Sequence, residues 1–187
     1  MRPALPAYRS VLWRAVPWIA LAAVAAGCRE SDPAQALPLD LVSRAAAAAI
    51  QPTPASLREA VVVIGGVSVP ALLMTSPARL TWDVRFSERA ELVASIALAP
   101  SGDVAVRQGV VVRLGLSDGR TYDELLRTRL ASDAVWQDIR LDLSPYSGWK
   151  WSLFYQPSRI TWRLIVNADQ APGGTLAVQT LRVQPRR

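Results

Sequence analysis

With 187 residues, 51% of them apolar, and a net charge of +6, the chain is long enough for one folded domain and an appendage. It contains no histidine, which excludes histidine-based triads and most zinc and iron sites, and its single cysteine excludes an intrachain disulfide. Three of the arginines lie in the first fourteen residues; from Cys28 onward, 18 basic residues stand against 15 acidic ones, spread along the chain. This mild, dispersed charge argues against a nucleic-acid partner.

The amino-terminal segment predicts an exported, lipid-anchored protein. Residues 1–14 are basic, and the apolar run 15–27 is too short to span a bilayer, which needs about 20 residues. The ending A-A-G-C resembles a bacterial lipobox, in which a signal peptidase cuts before the cysteine and the cysteine carries the lipids. The resemblance implies a signal peptide over 1–27, lipidation of Cys28 and a tether over 28–38. An ordinary secretory signal is the alternative.

The residue after Cys28 bears on the location of the anchored protein. It is Arg29, not the aspartate that retains enterobacterial lipoproteins at the inner membrane. By that resemblance we expect the outer membrane of a bacterial cell envelope, with the domain periplasmic or exposed at the surface.

Residues 39–50 predict one short amino-terminal helix. Their alanine run has high helix propensity, Asp40 is a candidate N-cap, and Gln51-Pro52 is a plausible end. We expect this helix to pack on the domain that follows.

From Ala60 onward the pattern is that of β-strands. Strands are predicted over 61–64, 67–74, 80–86, 90–99, 106–116, 121–130, 139–143, 149–155, 159–166 and 175–183. Asp118-Gly119 predicts a tight hairpin, Pro70 an edge or bulge position, and the slipping alternation between Val178 and Leu181 a bulge. Residues 39–187 therefore predict an all-β fold, a two-sheet antiparallel β-sandwich or jelly roll, carrying the amino-terminal helix.

Two stretches carry a resemblance to a known family. Residues 136–148 read W-Q-D-I-R-L-D-L-S-P-Y-S-G, and residues 77–92 form an alternating strand, a turn and a second alternating run. Both are similar to the galactose-binding-like jelly-roll domains of bacterial exported proteins, including those found beside sulfatase-type hydrolases. The resemblance implies a jelly roll over roughly residues 40–187. It departs at the last strand, where some relatives have a tryptophan and this chain has L-A-V-Q-T-L-R-V.

Three tryptophans are candidates for structural positions. Trp82 and Trp162 share a strand face with aliphatic neighbours, which predicts that both are largely buried. Trp136 is out of phase with the strand that follows it, so it either marks a bulge or caps the edge of the sandwich.

One aromatic stripe is the candidate ligand site. Trp149, Trp151 and Tyr155 share one face of a predicted strand, and Lys150 and Asn167 are polar groups that could hold sugar hydroxyls. The stripe could stack on sugar rings, or it could fill the interior of the sandwich.

Catalytic chemistry has little support in the sequence. There is no nucleophile elbow, P-loop, dinucleotide fingerprint or metal-ligand cluster, and we interpret the acids Asp123-Glu124 and Asp138/Asp142 as solvated strand-face charges. We therefore expect no catalytic residue, cofactor, metal or nucleic acid. The predicted function is a lipid-anchored envelope lipoprotein with a non-catalytic recognition module, possibly for glycan. The alternative is a structural docking module whose partner could be a separately encoded hydrolase.

Overall fold

A computed structural model describes most of the chain from Gln35 onward. The described ranges are 35–53, 56–86, 89–100, 109–131, 135–147, 161–169 and 174–186. The chain divides into two units, Met1–Asp32 and Pro33–Arg187, and every described residue belongs to the second. Within these ranges, no helix has the length and apolar character needed to cross a membrane.

The described part of the domain is built from eleven β-strands. They are β1 (Leu39–Asp40), β2 (Ala49–Gln51), β3 (Leu57–Ile64), β4 (Val67–Thr75), β5 (Ala78–Val84), β6 (Ala90–Leu98), β7 (Val110–Ser117), β8 (Tyr122–Leu130), β9 (Gln137–Asp142), β10 (Trp162–Asp169) and β11 (Thr175–Pro185). The six-stranded sheet has the order β3-β4-β11-β6-β9, with β1 also paired to β11, and the five-stranded sheet has the order β2-β5-β10-β7-β8. Every pairing is antiparallel, so the predicted two-sheet antiparallel sandwich is confirmed.

Alternation along the strands places the main core between the two sheets. In β5, Leu80, Trp82 and Val84 are buried, whereas Arg79 and Asp83 are exposed. Trp82 is only 3% exposed, and its indole Nε1 donates a hydrogen bond to the main-chain oxygen of Arg44 at 3.2 Å. The predicted burial of Trp82 is confirmed.

The other two tryptophans lie at the margins of the sandwich. Trp162 is partly buried against the core; its Nε1 donates to the carbonyl of Tyr146 at 2.8 Å, and the two rings meet edge to face at 5.1 Å. The prediction of a largely buried Trp162 was therefore too strong. Trp136 packs, also partly buried, against a small apolar cluster on the outer side of the six-stranded sheet, just before edge strand β9. This favours the cap over the bulge.

The predicted helix over residues 39–50 was wrong. The segment forms β1, a single 3₁₀ turn at Ala45–Ala47, and β2, and so contributes to both sheets. Asp40 accepts hydrogen bonds from the amides of Val42 and Ser43, at 3.1 and 3.3 Å, but they close only one turn. Helix propensity is a weak preference, and pairing with two sheets while burying Leu39 and Leu41 overrides it.

The hairpin of β7 and β8 is formed as predicted. Gly119 has a φ of 89°, and the Asp118 carboxylate accepts hydrogen bonds from the amides of Arg120 and Thr121, both at 2.8 Å. Residues 122–130, which could also be read as helix, form strand β8. The bulge predicted near Val178 is confirmed as well, because the register of β11 on β6 shifts there.

The hairpin of β3 and β4 extends beyond the pairing between β4 and β11. That pairing covers only residues 72–75 of β4, so among the described residues Pro70 has a strand partner on the β3 side alone, in agreement with the predicted edge position. The turn is Gly65-Gly66, with φ values of 61° and 79° that favour glycine. Val61, Val63 and Val67 of this hairpin are 70%, 56% and 58% exposed.

Candidate functional site

The residues predicted to bind ligand and lipid lie outside the described ranges. These residues are Cys28, Trp149, Lys150, Trp151 and Tyr155. Their roles stay predictions. Asn167 is described, and it lies on β10, at the centre of the five-stranded sheet.

The outward face of the five-stranded sheet carries a continuous row of polar residues. The strand register aligns one residue from each strand: Gln51, Arg79, Asn167, Arg113 and Arg127. The row crosses all five strands and is about 19 Å long at the usual spacing of neighbouring strands.

A bulge in β8 brings an aromatic ring to this face. Leu126 pairs with the buried Leu114, but the register then shifts at Leu125, so that Glu124 pairs with Gly115 and Tyr122 with Ser117. Without the extra residue, Tyr122 would share the inward face with Leu126. The bulge therefore turns Tyr122 to the outward face.

Gly115 provides the space that this ring occupies. A Cβ atom built on Gly115 would lie 2.5 Å from both Cε2 and Cζ of Tyr122 and 2.6 Å from the carbonyl oxygen of Asp123. The ring therefore lies directly over the glycine, where a larger residue would displace it. Tyr122 is nevertheless 40% exposed, which leaves part of the ring open to solvent.

Charged and polar groups surround the hydroxyl of this tyrosine. Burial raises the pKa of Tyr122 above its ordinary value and Glu124 raises it further, whereas Arg113, Arg79 and a hydrogen bond with the Asn167 side chain lower it. These influences place the hydroxyl near two guanidinium groups and an amide. We call Tyr122, Gly115, Arg79, Arg113 and Asn167 the Tyr122 patch.

An ion pair fixes one guanidinium of the patch. The Asp169 carboxylate accepts a hydrogen bond from Nε of Arg113 at 2.7 Å and also pairs with Nη2 of that guanidinium. This two-point contact orients the guanidinium plane, and the hydrogen bond with Asp169 raises the pKa of Arg113. Arg113 is thereby held in place, with its charge neutralised.

A groove of about 600 Å³ adjoins the patch at the β2 edge of the same sheet. Its polar lining consists of Gln35, Arg44, Gln51, Arg79, Thr81, Asp83 and Arg163. The main-chain N–H of Gln35 donates a hydrogen bond to the main-chain carbonyl of Arg85 at 3.1 Å, and β2 pairs with β5 only from Ala49 onward. The segment 35–51 thus runs beside β5 at two places, near Arg85 and again at β2. Between these two places it leaves a gap opposite Asp83. Arg79 belongs to both the groove and the patch.

A second groove, of about 590 Å³, lies on the six-stranded sheet and is a weaker candidate. Its lining residues are Pro38, Glu91, Arg140, Arg182, Gln184 and Pro185, with no aromatic side chain among them. The Glu91 carboxylate already accepts hydrogen bonds from Arg140 at 3.0 Å and Gln184 at 2.6 Å.

The acids considered in the sequence do not converge in the structure. Asp123 and Glu124 belong to opposite faces of β8, because they pair with Leu116 and Gly115. Asp138 and Asp142 are exposed, and Asp142 accepts from the Ser144 amide at 2.9 Å. The described residues also contain no group of three or more histidine, cysteine, aspartate or glutamate side chains placed to hold a metal.

The Tyr122 patch was not predicted from the sequence. The available signal was Gly115, a glycine inside the otherwise well-patterned strand V-V-V-R-L-G-L, which marks the close approach of another group. An aromatic residue just past the Asp118-Gly119 turn is a natural candidate to cover it.

Comparisons with known proteins bear on the fold. No protein-family model matches the chain, and no curated protein sequence matches it. Among solved structures, the carbohydrate-binding module TmCBM61, in complex with β-1,4-galactotriose, is similar, with a TM-score of 0.52 and 8% identity over 74% of this chain and 88% of that one. The chain has the galactose-binding-like jelly-roll fold. At this identity the likeness concerns the fold alone.

Two further solved structures are similar at lower scores. The CBM22-1 xylan-binding domain from Paenibacillus barcinonensis Xyn10C has a TM-score of 0.47 and 12% identity, over 73% of this chain and 84% of that one. A family 35 carbohydrate-binding module from Clostridium thermocellum has a TM-score of 0.45 and 15% identity, over 81% of this chain and 100% of that one.

Proposed function

We propose that the domain is a non-catalytic glycan-binding module and that the Tyr122 patch is its binding surface. The observation that carries the proposal is the partly exposed Tyr122 ring, which lies over Gly115 with Arg79, Arg113 and Asn167 near its hydroxyl. The apolar faces of sugar rings stack on aromatic rings, and guanidinium and amide groups form hydrogen bonds with sugar hydroxyls. The jelly-roll fold, shared with carbohydrate-binding modules, supports the proposal.

The expected affinity is modest. One ring and a few hydrogen bonds on a shallow face give a dissociation constant on the order of 10 µM to 1 mM, or roughly 4–7 kcal/mol. Because the row of polar residues crosses the whole sheet, several consecutive sugars contribute, and longer oligosaccharides bind more tightly than single sugars.

Calorimetric titration with neutral oligosaccharides, such as galactan and xylan fragments, tests the proposal. Tyr122→Ala abolishes binding, Tyr122→Phe keeps most of it because the ring is retained, and Val135→Ala, a change at an exposed apolar residue outside the patch, has no effect. Unchanged binding by Tyr122→Ala would exclude the patch. Trp151→Ala tests the predicted stripe in the same experiment, and loss of binding there alone would place the site in the stripe.

We also propose that the protein is attached to the bacterial cell envelope through an acylated Cys28. Support comes from the A-A-G-C ending of the apolar segment 15–27, with the only cysteine of the chain at the position that the lipobox requires. Several acyl chains, at about 0.8 kcal/mol for each buried CH₂ group, hold a domain stably where one chain would not. The outer membrane is the proposed location.

Metabolic labelling with a fatty acid tests the anchor. The parent chain incorporates label, and Cys28→Ser accumulates as an unlabelled, unprocessed precursor. Equal labelling of the variant would contradict acylation at this residue.

A second candidate function is docking of a protein partner, such as a separately encoded hydrolase, and the β3–β4 hairpin favours it. Val61, Val63 and Val67 are more than half exposed, and residues 60–71 contain no charged side chain. Strand β3 is at the end of its sheet, where an extended segment could add as a further strand. Val63→Lys discriminates the two functions, because it disrupts docking at the hairpin and leaves glycan binding at the Tyr122 patch unchanged.

A further inference from the structure

We propose that the groove beside the Tyr122 patch binds an anionic sugar residue, one that carries a carboxylate or a sulfate ester. This inference rests on the proposed glycan-binding function and specifies the class of glycan. The sugar on Tyr122 and the anionic sugar in the groove would belong to one oligosaccharide.

The charge of the groove is the first observation. Arg44, Arg79 and Arg163 line it, against a single acid, Asp83. The nearest approach of Asp83 and Arg163 is 3.8 Å, and their side chains are 70% and 58% exposed, so this pair is loose and well screened. In the part of the chain that the structure describes, neither Arg44 nor Arg79 forms an ion pair. The groove therefore has two guanidinium charges in excess.

The two ends of the polar row differ in charge balance. At the Tyr122 end, Arg113 is held and neutralised by Asp169, and Glu124 lies on the same outward face of β8 as Arg127, so two acids stand against two arginines. At the groove end, Arg79 has no such partner among the described residues. A neutral sugar therefore suits the Tyr122 end, and an anion suits the groove end.

The geometry connects these two ends. Asn167, whose side chain reaches the Tyr122 hydroxyl, is the direct strand neighbour of Arg79, and Arg79 is the direct neighbour of Gln51. Neighbouring strands lie about 4.8 Å apart, so these steps are short compared with an oligosaccharide. A chain stacked on Tyr122 can therefore extend over Asn167 and Arg79 into the groove.

The chemistry of arginine favours a carboxylate or a sulfate as the anion. The planar guanidinium presents two parallel N–H groups, which match the paired oxygens of both groups. Gln35, Gln51 and Thr81 add amide and hydroxyl groups that suit the hydroxyls of the same sugar.

The experiment compares three polysaccharides as probes: polygalacturonate, which carries carboxylates, a sulfated galactan, and neutral β-1,4-galactan. Affinity electrophoresis of the full chain is run at low and at high NaCl. At least one anionic probe binds more tightly than the neutral galactan, and its advantage falls at high NaCl because salt screens the charges. Which anionic probe binds decides between carboxylate and sulfate.

Arginine variants locate the effect. Arg79→Gln and Arg44→Gln each weaken binding of the anionic probe by about tenfold and leave thermal stability unchanged, because both side chains are exposed. Arg58→Gln removes the same charge from an exposed position on β3, in the other sheet, and is the matched control with no effect. An equal loss in Arg58→Gln would show general charge attraction and overturn the inference.

The remaining outcomes separate the inference from the proposed function. If neutral galactan binds as tightly as both anionic probes and Arg44→Gln, a change in the groove alone, leaves all three unchanged, the groove is not an anion site, and glycan binding at Tyr122 stands. If the parent chain binds none of the three, both the inference and the proposed function fail.

Discussion

The two outward faces of the sandwich differ in how completely their apolar side chains are buried. On the six-stranded sheet, Ile64, Leu73 and several alanines form a buried cluster against which Trp136 packs. On the five-stranded sheet, Val111 and Ile165 are buried as well, but the register also produces a row of arginines and amides, and the ring of Tyr122 is partly exposed. One face has become a second small core, and the other presents groups that can bind a ligand.

Small residues contribute to this difference in opposite ways. On the six-stranded sheet, the small side chains of the alanines at 71, 97, 99 and 177 leave room for neighbouring apolar side chains to pack over them. The buried cluster that results stabilises the fold. On the five-stranded sheet, Gly115 admits one ring and the surrounding arginines project outward. An outward sheet face is ordinarily polar, and single exposed apolar residues are common, so the informative feature is the position of the Tyr122 ring over Gly115 beside two arginines and an amide.

Replacement of Trp82 by alanine is expected to have the largest effect on the free energy of unfolding. The smaller losses expected from substitutions on the two outward faces can be compared with it. Trp82→Ala leaves a cavity between the sheets and removes the hydrogen bond to Arg44, which costs about 3–5 kcal/mol in the free energy of unfolding. Trp162→Ala costs less, because that ring is only partly buried. Denaturant unfolding of both variants measures the difference, and a larger loss in Trp162→Ala would contradict the assignment of the core.

Leu73→Ala tests whether the outward cluster on the six-stranded sheet is a true second core. Leu73 is 3% exposed, so the substitution costs about 2–3 kcal/mol in the free energy of unfolding. It leaves glycan binding unchanged, since the Tyr122 patch is on the other sheet. Val61→Ala is the control at an exposed apolar residue and shifts stability by no more than about 0.5 kcal/mol. A similarly small effect of Leu73→Ala would remove the contrast between the faces.

Gly115→Ala tests the opposite face. The added methyl group would meet the Tyr122 ring and the Asp123 carbonyl, so the ring is displaced at a cost of about 1–3 kcal/mol and glycan binding is lost. Gly66→Ala is the control: its φ of 79° makes the substitution strained, but nothing lies within 4 Å of the new methyl group and glycan binding is retained. Calorimetric titration and thermal unfolding of both variants provide the two readouts. Retained binding by Gly115→Ala would show that the position of the ring is unimportant.

The fold could be predicted because its determinants are local and repeated. Alternation in β5 specifies one buried face, and the Asp118-Gly119 turn specifies a hairpin. The helix over residues 39–50 could not be excluded from sequence, because alanine propensity is visible locally and the pairing of this segment with two separate sheets is not.

The candidate site was hidden by a single residue. Strict alternation from Leu130 and Leu126 places Tyr122 inside the sandwich, and only the extra residue Leu125 turns it outward. The contact with Gly115 is a tertiary one that depends on this shifted register. The bulge near Val178 was visible as a slip in the alternation, whereas the adjacent Leu125 and Leu126 fit either register of β8, so the chemistry of the patch emerges only when the strands are paired.

The smallest expected effect is a shift in the titration of Tyr122, and it probes the patch directly. Burial, followed by Glu124, raises the pKa of Tyr122 above its ordinary value of 10.0, so the folded protein keeps this phenol protonated to a higher pH than the unfolded chain does. The contribution to stability is therefore complete below pH 10 and is lost as the pH rises through the folded pKa. The phenolate absorbance of the parent minus that of Tyr122→Phe isolates this group. Glu124→Gln lowers the pKa of Tyr122, because it removes a negative charge that raises it, and Asp138→Asn, an acid on the other sheet, changes nothing. A glycan that covers the ring raises the pKa further by excluding water, and an unchanged titration with saturating glycan would place the binding site elsewhere.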